Sequence, residues 1–207
     1  LFFQLEPSGF FHVHLRMTGH LEYGLQQPDY TRFVLQFAKT RKRLWYADSR
    51  TLGRLAYYES IPEDIAALTD AVNDSYDEKL LYEKFQARKC ALKDVLLDQS
   101  FLAGIGNIYA CEIAFRARVS PYRIAERITK PETKRIYREI IAVLQEAVAA
   151  EGTTFSDFRG ADGKPGNFQS QLTVYDRAGE PCHTCGSAIQ KDMYHGRGTY
   201  HCPKCQK

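Results

Sequence analysis

Residues 182–205 read CHTCGSAIQKDMYHGRGTYHCPKC, which sets four of the six cysteines in the spacing C-x2-C-x16-C-x2-C. Each C-x-x-C turn offers two thiolates that converge on one point, and the chain between the turns can form a β-hairpin. The segment therefore reads as a tetrahedral zinc site closed by Cys182, Cys185, Cys202 and Cys205. Disulfides or redox C-x-x-C pairs would use the same residues, but two pairs at this spacing favour one structural zinc ion. His183 and His201 lie beside the ligands and read as bystanders, because four thiolates already fill the coordination shell. So short a segment holds few core residues and needs the metal to keep its hairpin. Cys90 and Cys111 stand apart and read as reduced and dispensable.

Upstream of this segment the chain reads as helix. Residues 79–89 and 92–97 carry apolar side chains at helical spacing, the pattern breaks at Ser100 and at Gly104-Ile105-Gly106-Asn107, and a further helix is expected over 108–115. Residues 131–150 give the clearest helix. Pro131 suits its first turn, Thr129 or Lys130 precedes it, Gly152 fits the position past its end, and Ile136, Ile140, Val143, Leu144 and Ala147 form its core stripe. Glycines 160, 163 and 166 mark a flexible stretch, and 172–175 is expected as a short strand leading into the cysteines. The first part of the chain reads instead as antiparallel sheet. Residues 10–17 alternate towards an apolar face that includes Met17, and 30–37 and 43–46 are strand candidates flanking the basic turn 39–42. Residues 62–77, polar and acidic apart from a helical patch at 65–68, read as a linker.

The length of 207 residues fits one large domain or two small ones, and 44% hydrophobic with 26% charged residues excludes a disordered or fibrous chain. No apolar run is long enough to span a membrane, and no basic segment suggests a secretory signal. The net charge of +3 hides an asymmetry: residues 1–78 carry 8 basic and 11 acidic side chains, whereas 79–207 carry 20 and 14. The second part could face a polyanion, although this surplus alone does not select one.

Several local patterns, in order along nearly the whole chain, resemble the bacterial formamidopyrimidine-DNA glycosylases and, more distantly, their endonuclease VIII relatives. They are His14-Leu15-Arg16-Met17-Thr18-Gly19, Tyr46-Ala47-Asp48-Ser49-Arg50-Thr51-Leu52-Gly53, Leu96-Leu97-Asp98-Gln99 with Gly104 to Ala110, Asp162-Gly163-Lys164-Pro165-Gly166, and Arg197-Gly198-Thr199 with the last cysteine pair. The resemblance implies an α+β chain. The remnant of an antiparallel β-sandwich covers 1–60, and a linker covers 61–78. A helix-two-turn-helix DNA-binding domain follows at 79–170, with a lesion loop near 153–170, and a β-hairpin zinc finger at 171–207. It implies a base-excision repair enzyme of the bacterial cytoplasm, probing double-stranded DNA that holds an oxidised base or an abasic site, without a membrane and as a monomer.

In that family a flipped base is cut from its sugar and the backbone is nicked by β- and δ-elimination. The resemblance assigns Met17 and Leu52 to wedging the vacated stack, with Leu52 standing where phenylalanine is usual, and Arg50 to the orphaned base. Arg88, Lys93 and Asn107 would meet the DNA backbone, although Asn107 reads equally as a helix cap. Arg197 would hold a phosphate and assist δ-elimination. Tyr30 lies near a family DNA-contacting histidine and takes no such role, and Glu112 reads as a structural acid within the helix pair. The family's proline amine and neighbouring glutamate, from a P-E-L-P-E opening, do not occur here. Leu1 aligns after its catalytic lysine, so the sequence reads as a truncated member, and nothing in it lowers a lysine pKa from about 10 towards neutrality. Oxidised purines are the expected lesions. The alternatives are an oxidised-pyrimidine enzyme of the endonuclease VIII type, a non-catalytic zinc-containing DNA-binding module, and a protein scaffold held by zinc.

Overall fold

The computed structural model describes residues 1–73, 75–154, 160 and 164–207, and its contacts divide the chain into two compact units. The first comprises Leu1–Ala67 with Ala147–Ser170, and the second Leu68–Glu146 with Gln171–Lys207.

The first unit is built from two three-stranded antiparallel sheets. Strands β1 (Phe2–Gln4), β2 (Phe10–His14) and β6 (Arg54–Tyr58) form one in the order β1-β2-β6. Strands β3 (Gly19–Gly24), β4 (Thr31–Gln36) and β5 (Arg43–Asp48) form the other in the order β3-β5-β4. Phe11 of β2 stacks on Phe33 of β4 with centroids 5.0 Å apart, so the sheets meet face to face as a sandwich. Val13, Trp45, Tyr46 and Ala47 are the buried apolar residues of its strands, and the Trp45 indole N–H reaches Gly24 O at 3.3 Å. Helix α1 (Glu63–Ala66) follows β6.

Strand β2 stops at His14. Arg16 takes a φ of 55° and bends the chain, so the expected alternation does not reach Met17, which lies in the turn rather than on an apolar face. Strands β3 and β6, absent from the sequence reading, begin at or just after glycines whose missing Cβ makes room for Tyr46. A Cβ on Gly53 would collide with the Tyr46 hydroxyl, and one on Gly19 with Leu15 O and the same ring.

In the second unit, α2 (Glu78–Gln86) starts at Asp77, whose side chain accepts from Leu80 N at 2.8 Å. Helices α3 (Leu92–Leu97) and α4 (Asn107–Arg116) flank a double turn. Gln99 organises that turn by donating to Leu97 O and Ile105 O and accepting from Gly104 N. Helix α5 (Lys130–Ala149) opens with a capping box: Glu132 accepts from Thr129 N at 2.8 Å while Glu132 N donates to Thr129 Oγ1 at 3.4 Å. Phe85, Leu92, Leu96, Phe101, Ile113, Ile136 and Ile140 form the core beneath these helices. Strands β7 (Gln190–Tyr194) and β8 (Arg197–His201) make the finger hairpin.

Three expectations need correction. Residues 68–73 are not a free tether, because Ala71 is buried and the stretch bonds to Ala103 on both sides, through Ala71 N (2.9 Å) and Thr69 O (2.8 Å). Residues 147–170 group with the sheets rather than with the helices, and the finger shares one unit with the helices. Residues 172–175 form no strand, since their N–H groups bond to a side chain described below.

Candidate nucleic-acid interface and metal centre

In the first unit the site grows from Asp48 at the end of β5, which is only 1% exposed. Its Oδ1 accepts from Thr18 Oγ1 (2.5 Å) and Arg50 N (3.1 Å), and its Oδ2 from the Tyr46 hydroxyl (3.1 Å) and Gly53 N (2.8 Å). Burial works against the charge, but these donors outweigh it and hold the carboxyl well below the usual carboxylate range. Burial and the Asp48 charge together push the Tyr46 hydroxyl up to about 12. Asp48 thereby fastens the turn at 15–18 to the loop at 49–53. Met17 is 71% exposed on the first and Leu52 44% on the second, and Arg50 Nη1 lies 3.9 Å from Met17 Sδ. An unbranched thioether and a leucine are thus held out on two loops that Asp48 fixes. The sequence reading placed Asp48 inside a motif without giving it a task; its signal was an acid between a strand and two donor-rich loops.

In the second unit a parallel device fastens the finger. Glu112, fully buried on α4, accepts from Thr173 N (2.9 Å), Thr173 Oγ1, Val174 N (2.9 Å) and Tyr175 N (2.8 Å). It acts across to the finger approach, not within the helix pair as the sequence suggested. The hairpin itself is held on Gly198 O, which accepts from Asn107 Nδ2 (3.0 Å) and Lys93 Nζ (3.1 Å). Gln206 closes the other end, its Oε1 accepting from Cys202 N and its Nε2 donating to Val119 O. Arg197, next to the doubly held Gly198, is left exposed at the start of β8.

Two of the expected backbone contacts are placed differently. Lys93 is fully buried and its ammonium also donates to Thr199 Oγ1 at 2.5 Å, so it pins the hairpin and has no surface to offer a phosphate. Burial lowers its amine below the ordinary lysine value, with Arg197 adding to the fall and Cys111 and Asp94 opposing it. Asn107 is the first residue of α4 and not its cap; Gly106 holds that place, and the Asn107 amide turns to the finger. Arg88 is partly exposed and pairs with Asp98 at 3.2 Å.

Of the expected lesion loop, residues 155–159 and 161–163 lie outside the described residues, Asp162 and Gly163 among them. The two stems are zipped together by Gly166 N to Thr154 Oγ1 (2.9 Å), Asn167 N to Ala150 O (2.8 Å) and Phe168 N to Gly152 O (3.0 Å). A Cβ on Gly166 would strike Gly152 O, so the closure depends on glycine.

The thiolates of Cys182, Cys185, Cys202 and Cys205 lie within 4.8 Å of one another, with Cys185–Cys202 at 3.5 Å and Cys182–Cys205 at 3.9 Å. The edge of a tetrahedron of zinc–sulfur bonds is ~3.8 Å, so the four sulfurs fit one zinc ion and are too far apart for disulfides. His183 and His201 face Arg177 and Asp192 instead. Cys111 packs into the finger core with Phe115, Val174, Ile189 and Tyr200. No helix among the described residues is long and apolar enough to cross a membrane.

An antiparallel sandwich with two exposed loops, a helix-two-turn-helix unit and a four-thiolate hairpin are the parts that make up the helix-two-turn-helix class of DNA glycosylases. The formamidopyrimidine-DNA glycosylase N-terminal domain matches residues 1–55, the H2TH domain of those enzymes 68–159, and the zinc finger found in FPG and IleRS 179–207. The formamidopyrimidine-DNA glycosylase of Prochlorococcus marinus (strain MIT 9312) is 39% identical over 98% of this chain and 72% of its own length. The crystal structure of MutM (Fpg) from Thermus thermophilus superposes with a TM-score of 0.89 at 37% identity, covering 99% of this chain and 78% of that one. Lactococcus lactis Fpg, solved with DNA containing N7-benzyl-Fapy-dG, gives 0.88 at 30% identity over 100% of this chain and 78% of its own. The chain belongs to the formamidopyrimidine-DNA glycosylase family of base-excision repair proteins.

Proposed function

We propose that this chain carries the lesion-probing and DNA-gripping machinery of a bifunctional glycosylase and abasic-site lyase that removes oxidised purines such as 8-oxoguanine and formamidopyrimidines. It acts as a monomer on damaged duplex in the bacterial cytoplasm. The observation that carries the reading is the pair of loops fastened by Asp48, which hold Met17, Arg50 and Leu52 out where a vacated base stack could receive them. Lactococcus lactis Fpg has been solved with both a Fapy-dG lesion and an abasic site, which supports DNA of this kind as the ligand. Arg197, exposed beside the fixed Gly198, would clamp the phosphate next to the flipped nucleotide and steady the charge that develops in δ-elimination. Leu52 in place of phenylalanine leaves the oxidised-pyrimidine specificity as the second reading.

The covalent route of a bifunctional glycosylase and lyase needs an amine at C1′, and the 207 residues contain no P-E-L-P-E stretch. Lys93 has a lowered pKa but is buried with its ammonium engaged by Gly198 and Thr199. The test is borohydride trapping on 8-oxoguanine duplex. The 207-residue polypeptide should bind the duplex without forming an adduct, and the same polypeptide carrying the family's N-terminal segment upstream of Leu1 should form one. An adduct with residues 1–207 alone, lost in Lys93→Met, would overturn this assignment of the chemistry.

A further inference from the structure

We propose that His195, oriented by Asp94, is a second DNA-phosphate ligand beside Arg197 and that it binds only as the imidazolium. The proposal rests on the reading of Arg197 as a phosphate clamp. His195 and Gly196 form the two-residue turn between β7 and β8, with φ values of 47° and 73°. Such turns favour Asn-Gly or Gly-Gly, and histidine, with asparagine and aspartate, is one of the side-chain-bearing residues that enter the left-handed region most readily.

The ring is fixed on two sides. Its Nδ1 lies 3.1 Å from Asp94 Oδ1, and its face stacks on Tyr194 with centroids 4.1 Å apart. The Tyr194 hydroxyl donates to the other oxygen of Asp94 at 2.8 Å, so one carboxylate of α3 orders the whole turn. Yet the His195 side chain is 72% exposed, and its Nε2 has no partner among the described residues. Histidine and arginine line one cleft of about 270 Å³ with Lys93, Asp94, Asp98 and Tyr194.

A phosphodiester oxygen only accepts hydrogen bonds. With Nδ1–H committed to Asp94, Nε2 can serve a phosphate only when it too carries a proton. Asp94 on α3 is the anion that faces the ring. Asp98, just past the end of α3, is balanced by Arg88, and the Lys93 ammonium is taken up by the hairpin. Arg197 on the hairpin lines the same cleft, and the Cys90 thiol, near enough to act on Tyr194, is a further titratable neighbour. A bound phosphate adds its negative charge to that of Asp94, so DNA binding takes up a proton here.

The experiment measures affinity for a short undamaged duplex from about pH 5.5 to about pH 8.5. Relative to His195→Asn, which tolerates the left-handed turn, the natural chain should bind roughly three- to tenfold more tightly at the acid end and equally at the alkaline end. The slope of log affinity against log salt should be smaller by about one in the asparagine variant, at low pH only. His195→Lys should restore affinity and remove its pH dependence, and Asp94→Asn, which removes the anion that orients the ring, should shrink the gain at the acid end. An asparagine variant with the natural pH profile, while Arg197→Ala still weakens binding, would sink the histidine alone. A flat salt response in the natural chain, with Arg197→Ala silent, would sink the phosphate clamp and the histidine with it.

Discussion

Both units rely on one buried carboxylate that gathers four donors, yet the two put it to different use. Asp48 collects groups from residues 18, 46, 50 and 53, all belonging to its own strand β5 and the loops it must shape. Glu112 collects groups from residues 173 and 174–175, 61 to 63 positions away, and joins a finger to a helix pair. The first device aims side chains outward from a local scaffold. The second makes two segments that look independent in sequence into one body. A buried anion surrounded by N–H and O–H donors can do either, because what it fixes depends only on where the chain brings those donors.

Metal removal tests this contrast most severely. Cys182→Ser or Cys205→Ser should reduce zinc content from one ion per chain to none and unfold the hairpin, since structural zinc is worth about 10–16 kcal/mol in small fingers. The sheets should stay folded. Elemental analysis showing unchanged zinc in these variants would remove the cysteines from the role given them.

Next in size, Glu112→Gln should cost the second unit about 2–4 kcal/mol, because the amide can accept at only one of its two arms and leaves buried N–H groups unsatisfied. Asp48→Asn should cost the first unit a similar amount and loosen its two loops. Asp48 also gives the comparison a pH signature. Its folded pKa is depressed, so its stabilisation is full above the unfolded value near 3.9 and is lost as pH falls below about 4. Acid titration that melts the natural first unit and its Asp48→Asn variant at the same pH would contradict that account.

Arg197→Ala and Asn107→Ala should each weaken DNA binding about tenfold whatever the sequence, the first by losing a phosphate contact and the second by releasing Gly198. Binding that depends on sequence in either variant would place these residues at base edges instead. The smallest effect on stability is expected for Met17→Ala, within about 0.5 kcal/mol, since the side chain is exposed and its turn hangs from Asp48. Its loss should appear as reduced discrimination between lesion and normal duplex. A large drop in melting temperature would mean that Met17 packs rather than probes.

What the sequence disclosed follows the reach of each signal. The zinc ligands were legible because a C-x-x-C pair fixes its own geometry within four residues, and 92–97 because its apolar period is local. Lys93 was misplaced because a lysine between Leu92 and Asp94 looks like any solvated cation. Its acceptors lie 105 and 106 residues away. Residues 172–175 have a strand's composition, but the donors a strand would give to a neighbour go to Glu112. Met17 was expected to end a strand on its apolar face, but alternation says nothing past the left-handed Arg16, and the residue lies in the turn.

The chain's single tryptophan has a use that follows from its place. Trp45 is buried in the sandwich with its N–H on Gly24 O, while the finger core and its helix partners are lined with tyrosine: Tyr122, Tyr175, Tyr194 and Tyr200. Indole emission is therefore a private optical channel for the first unit, whereas eight of the thirteen tyrosines lie in the second. Chelating the zinc should change the tyrosine signal at constant indole emission, so one cuvette can follow the two bodies separately without any label.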